Sequence, residues 1–108
     1  EHLRPVRAGR RELGRRRERR VRKVAASRRE LAAGLANVPG LTVFPSEANF
    51  VLVRTPIDGQ RAWQRLVDQG VLVRNLSRPG PLKNCLRVTA GTPEENQRCV
   101  DAMRAALA

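Results

Sequence analysis

The joint that most constrains this chain runs from Cys85 to Asn96, where a strand pattern passes into a helix start within three residues. In Cys85-Leu-Arg-Val-Thr89 the apolar Leu86 and Val88 alternate with Arg87 and Thr89, the period of a half-buried strand. Thr92 then reads as an N-cap, with Pro93 at the first helical position and Glu95 completing a capping box. Glu94 adds a charge that suits the positive end of the helix dipole. Val100, Met103 and Leu107 give this last helix one buried face.

Upstream, the period switches several times. Leu13, Val21, Val24, Leu31 and Leu35 recur at three, four or their sums, which predicts one long helix over 10–37, ended by Asn37, Pro39 and Gly40. Glu12 with Arg16 and Glu18 with Arg22 are i,i+4 pairs in the favourable order, each contributing ~0.2–0.5 kcal/mol. Arg10, Arg17 and Arg28 fall on or beside the apolar stripe, so the first half of this helix is poorly suited to burial. A short strand over Leu41–Phe44, a turn over 45–48 and a second strand over Asn49–Arg54 follow. Thr55–Gly59 reads as a loop, and 60–69 as a helix with Trp63, Leu66 and Val67 on one side, closed by Gly70. Val71–Arg74 is expected to be the third strand and Cys85–Thr89 the fourth. Pro79, Gly80 and Pro81 make the intervening Asn75–Asn84 a loop rather than a tight hairpin. The fold class is therefore α+β, in the order α-β-β-α-β-β-α. Its helices cover one face of a small, mainly antiparallel sheet of about four strands. We expect one domain over residues 1–108, divided into a basic N-terminal helix (1–40) and a small α+β core (41–108).

Composition bounds the function classes. With 108 residues there is room for one core and not for a two-domain enzyme. Phe44, Phe50 and Trp63 are the three aromatic residues, so the core must rest on Leu, Val and Ala. No apolar run approaches the ~20 residues that cross a bilayer, and no signal peptide is evident. Cys85 and Cys99 fit no metal-ligand spacing and lie in apolar-periodic segments, so both are expected to be buried free thiols in a cytoplasmic protein. The first residue is Glu1 rather than Met, which suggests a piece of something longer.

The net charge of +12 is uneven: residues 1–30 hold 13 Lys/Arg against 4 Asp/Glu, and residues 31–108 hold 9 against 6. The run Arg15-Arg-Arg-Glu-Arg-Arg20 has the electrostatic footprint of a nucleic-acid binder. However, no aromatics are interleaved for base stacking, no binding motif is present, and the basic residues surround the helix instead of lining one face. Twenty of the 22 basic residues are Arg, a bias that a GC-rich genome also produces. Specific nucleic-acid binding and membrane association are not expected. A stand-alone interaction module, with the Leu13–Leu35 stripe seated on a partner helix, is the third reading. The stripe packing on the domain's own sheet is the simpler one.

Two arginines stand out on the strands. If Leu86 and Val88 face the helices, Arg87 points away from the core, and burying Val71 and Val73 does the same for Arg74. A guanidinium grips a carboxylate or phosphate bidentately, so two on rigid strands suit an anion site. Spacing alone leaves a solvated strand charge as the alternative for each.

The runs Val43-Phe-Pro-Ser-Glu-Ala-Asn49-Phe-Val-Leu-Val, Gly70-Val-Leu-Val-Arg74 and Cys85-Leu-Arg87-Val-Thr-Ala-Gly-Thr-Pro-Glu-Glu-Asn96 closely resemble the C-terminal small domain of histidinol-phosphate aminotransferases. These are fold-type I enzymes of the aspartate aminotransferase superfamily, and the resemblance covers roughly residues 20–108. It implies that Arg87 binds the α-carboxylate of the amino-acid substrate and that Arg74 is associated with the substrate phosphate. It also implies that Asn49 and Phe50 hold their strand and turn. The family's cofactor is pyridoxal phosphate, bound as a Schiff base to a lysine of the large domain, and neither Lys23 nor Lys83 matches that lysine's motif. His2 is terminal and isolated, and no general base stands out. The resemblance therefore implies a chain without catalytic residues of its own, inactive alone. Its partners would be the missing large domain, a second subunit of a homodimer, and small amino-acid and phosphorylated substrates. Apolar surface normally covered by the large domain would be exposed and could drive self-association.

Overall fold

A computed structural model describes residues 22–45 and 49–108. The expected stripe positions Leu13 and Val21, the pairs Glu12–Arg16 and Glu18–Arg22, the 15–20 arginine run, His2 and the turn residues 46–48 lie outside them.

The described part of the first helix, α1, covers 22–36. It stops because Asn37 and Val38 fold back, their N–H groups donating to Gly34 and Leu35 carbonyls, and Gly40 then takes a φ of +83°. The strands β1 (Thr42–Val43) and β2 (Phe50–Arg54) lead to α2 (Gly59–Asp68), whose N-cap Asp58 accepts the Arg61 N–H. Then come β3 (Arg74–Asn75), β4 (Cys85–Thr89) and α3 (Pro93–Ala106). The α3 N-terminus is the capping box read from the sequence: Glu95 N–H donates to Thr92 Oγ1, and Thr92 N–H donates to Glu95 Oε1. The element order is the expected one.

All three sheet pairings are antiparallel, in the order β1-β2-β4-β3. Val51 lies opposite Val88 and Val53 opposite Leu86, and all four are buried. Leu31 and Leu35 of α1, Ala62 and Leu66 of α2, and Val100 and Met103 of α3 pack with them in one cluster. The helices thus share one face of the sheet. Asn96, 3% exposed, ties α1 to the start of α3. Its amide donates to the Ser27 carbonyl and hydroxyl and to Glu30, and its oxygen accepts the Gly91 N–H. Both cysteines are buried and unpaired, as expected, and burial pushes the Cys99 thiol up to about 11. No helix among the described residues is long and apolar enough to cross a membrane.

The third strand is a correction. The alternation in Val71–Val73 predicts a strand from Val71, but pairing begins only at Arg74. Two contacts draw the preceding residues toward α2: Gly70 turns with a φ of +78° and Val71 N–H donates to Leu66, while the Trp63 indole N–H donates to the Val73 carbonyl at 2.9 Å. Trp63, assigned from periodicity to the buried side of α2, is half-buried and spends its polar end on this capture.

Candidate anion-binding site

The hydrogen bonds that flank the ladders determine which residues share the uncovered face. Leu76 N–H donates to Cys85 O and Ala90 N–H to Asn49 O. The odd-numbered residues of β4 therefore exchange backbone bonds with β3 and the even-numbered ones with β2. Arg74 and Arg87 are direct cross-strand partners, and Arg87 faces Leu52 on its other side. Phe44 N–H donates to Leu52 O, which completes one row across the sheet: Arg74, Arg87, Leu52, Phe44. Leu86 and Val88 of β4 point to the helices together with Val51 and Val53 of β2, so this row lies on the opposite, open face.

Directly opposed residues bring their Cβ atoms to ~4.5–5.5 Å, and like charges so placed repel. Arg74 is exposed and Arg87 half-buried. The Arg87 guanidinium sits 5.5 Å from the centroid of the Phe50 ring, a cation–π contact that presses it flat against the sheet. Among the described residues no carboxylate pairs with either arginine. Two arginines that are direct cross-strand partners, with no carboxylate partner among the described residues, can together receive one dianion or two neighbouring anionic groups of one molecule. Where 71–73 diverge from the end of β4, a cleft of ≈ 390 Å³ opens toward α3; Leu72, 83% exposed, lines it, and neither Arg74 nor Arg87 does.

Sequence reasoning named both arginines but not their direct opposition. It also assigned Phe50 to holding the strand alone, whereas the ring carries the Arg87 guanidinium. A third arginine, Arg54, went unnoticed. It occupies the same face opposite Cys85, stacks over Phe44 at 5.1 Å, and donates to the carbonyls of Lys83 (3.1 Å) and Pro81 (2.5 Å). Its charge is therefore committed to the connection between β3 and β4. The apex of that connection, Gly80, stands in open space with a φ of +109°.

Lys23 and Lys83 are exposed, and among the described residues neither ammonium donates a hydrogen bond.

No protein-family model matches the chain. Individual proteins do. Residues of this chain are 48% identical over 83 positions to histidinol-phosphate aminotransferase 2 of Cupriavidus pinatubonensis, an alignment covering 76% of this chain and 22% of that protein. The chain is also 38% identical over 87 positions to histidinol-phosphate aminotransferase of Aquifex aeolicus, covering 81% of this chain and 25% of that protein. Among solved structures, histidinol-phosphate aminotransferase from Sinorhizobium meliloti, in complex with pyridoxal-5'-phosphate, superposes with a TM-score of 0.69 at 28% identity, covering 79% of this chain and 24% of that one. A decarboxylase from Sulfurospirillum multivorans superposes at 0.73 with 27% identity, over 81% and 26%. The chain thus spans about a quarter of the length of the proteins it matches, and the resemblance read from its motifs agrees with these similarities.

Proposed function

We propose that this chain is the C-terminal small domain of a pyridoxal-phosphate-dependent aminotransferase acting on histidinol phosphate, with glutamate and 2-oxoglutarate as the exchange pair. In this reading a large domain outside the chain supplies the cofactor lysine, the working enzyme is a cytoplasmic homodimer, and residues 1–108 contribute anion recognition without transaminating alone. Arg87 grips the α-carboxylate and Arg74 the phosphate. One observation carries the proposal: two guanidinium groups are opposed on an open sheet face with no carboxylate among the described residues to neutralise them. The arrangement costs stability unless an anion is the partner. The sequence similarity supports this choice of substrate, and two guanidinium groups suit a reaction whose substrates carry a carboxylate and a phosphate.

The test is a split in kinetics, made in the enzyme that contains this chain. Arg87→Gln should raise the KM for glutamate, whereas Arg74→Gln should raise the KM for histidinol phosphate far more than that for glutamate. Equal effects of Arg74→Gln on phosphorylated and unphosphorylated substrates would instead favour another amino-acid transaminase of the same superfamily. The similarity to a decarboxylase shows that this fold also serves chemistry other than transamination.

A further inference from the structure

A two-residue strand cannot set its own position. β3 holds Arg74 opposite Arg87 against their mutual repulsion, yet it contributes only Arg74 and Asn75 to the ladder. What fixes the pair must lie outside the ladder, and the hydrogen bonds converge on one residue. Asn84 immediately precedes β4 and has a φ of +61°, the left-handed region that asparagine tolerates better than most side chains. It uses three of its polar groups. Its side-chain oxygen accepts the N–H of Gly59 at the start of α2 (2.9 Å), and its carbonyl accepts the N–H of Thr55 beyond the end of β2 (2.9 Å). Its own N–H donates to the Ser77 hydroxyl (3.0 Å).

Ser77 passes the connection on to β3, because its N–H donates to the Asn75 side chain, whose amide in turn donates to Gln60 on α2. The first turn of α2 therefore holds both strands that carry the arginines, β3 through Gln60 and Asn75, and β4 through Gly59 and Asn84. The packing allows no slack, since a Cβ at Gly59 would come within 2.9 Å of the Asn84 backbone.

We propose that Asn84 is a positioning residue for the arginine pair, fixing the separation of Arg74 and Arg87 through α2 and so setting which anions the pair can hold. It does not touch the ligand. The inference rests on the reading of Arg74 and Arg87 as the anion site, but it has a readout independent of that reading.

The experiment uses the full 108-residue chain and inorganic phosphate as the probe. NMR follows the two Nε–Hε signals of Arg74 and Arg87. In the native sequence both signals should titrate with one common Kd. Asn84→Gly keeps the left-handed backbone and removes the side-chain acceptor. It should weaken phosphate about tenfold, the displaced arginine pair losing one of its hydrogen bonds to the phosphate, while the Leu86 and Val88 amides stay in place. Asn84→Asp restores the acceptor and should recover binding to within about twofold. Should Asn84→Gly not fold, Ser77→Ala breaks the same chain one link away and should act in the same direction.

In parallel, Arg74→Gln, Arg87→Gln and the double variant form a stability cycle, whose repulsive coupling should shrink in the Asn84→Gly background. Native-like phosphate affinity or undiminished coupling in that background overturns the inference. Absence of phosphate binding in the native chain overturns the anion-site reading instead, and the stability cycle then decides the role of Asn84 alone.

Discussion

The two faces of this sheet follow opposite rules. On the helix side, Val51, Val53, Leu86 and Val88 are closed over by three helices, and β2, β4 and all three helices contribute to one cluster. On the other side lie Arg74, Arg87, Arg54, Leu52 and Phe44, with the Arg54 guanidinium over the Phe44 ring and that of Arg87 over Phe50. In the proposed reading stability and recognition are kept apart: alternate residues of one strand, Leu86 and Arg87, would serve the two purposes and cannot exchange roles without turning the strand over.

That contrast can be broken or sharpened by substitution. The largest effect belongs to the covered face. Leu86→Ala leaves a cavity among β2, α2 and α3 and should cost ~2–5 kcal/mol in chemical denaturation. A value under ~1 kcal/mol would mean that the helix side is not the packed one. Next is the polar tie within that face. Asn96→Ala strands the Gly91 N–H and the groups of Ser27 and Glu30, and should destabilise by ~1–3 kcal/mol. On the open face the sign reverses. Arg74→Gln relieves the opposition with Arg87 and should raise stability by about 0.5 kcal/mol at low salt, an advantage that shrinks as salt screens the pair. Loss of stability in this variant would mean that the two charges do not repel. The smallest expected effect lies at the α3 cap, outside both faces. The bond from the Thr92 backbone, followed by that from its hydroxyl, holds the Glu95 carboxyl below the ordinary carboxylate range. Its stabilisation is therefore full above the unfolded carboxylate range and disappears as pH falls through the lowered value. Glu95→Gln should flatten that part of the acid-denaturation curve by bringing the neutral-pH stability slightly down toward its low-pH level.

Legibility in the sequence follows the range of the physics involved. The α3 start could be read residue by residue because Thr92, Pro93 and Glu95 interact only with each other. Alternation in Cys85–Thr89 likewise gave the faces of Leu86 and Arg87. The beginning of β3 could not be read, since the Trp63 indole and the turn at Gly70 act across the gap between helix and strand and override the local apolar alternation. For the site, residue types named Arg74 and Arg87, but pairing register is a property of two strands together and is absent from either alone. Arg54 was passed over because a third strand arginine looks the same whether its charge is free or spent on loop carbonyls. Asn84 looked like one more loop residue. A polar residue tolerant of left-handed backbone, set directly before a strand, was the available hint.

The connection between the two arginine-bearing strands is held at both ends, by Ser77 on one side and by Arg54 and Asn84 on the other, while a side chain at Gly80 on its apex would enter open space. Drift in length is therefore channelled to a single place. Residues inserted at Gly80 would enlarge the loop at an entropic cost of only ~0.6 kcal/mol per doubling and leave the guanidinium pair where it was. A lineage could thus add reach, a new contact or a reporter tag at this apex and keep its original recognition chemistry, whereas an insertion a few residues to either side would alter both at once.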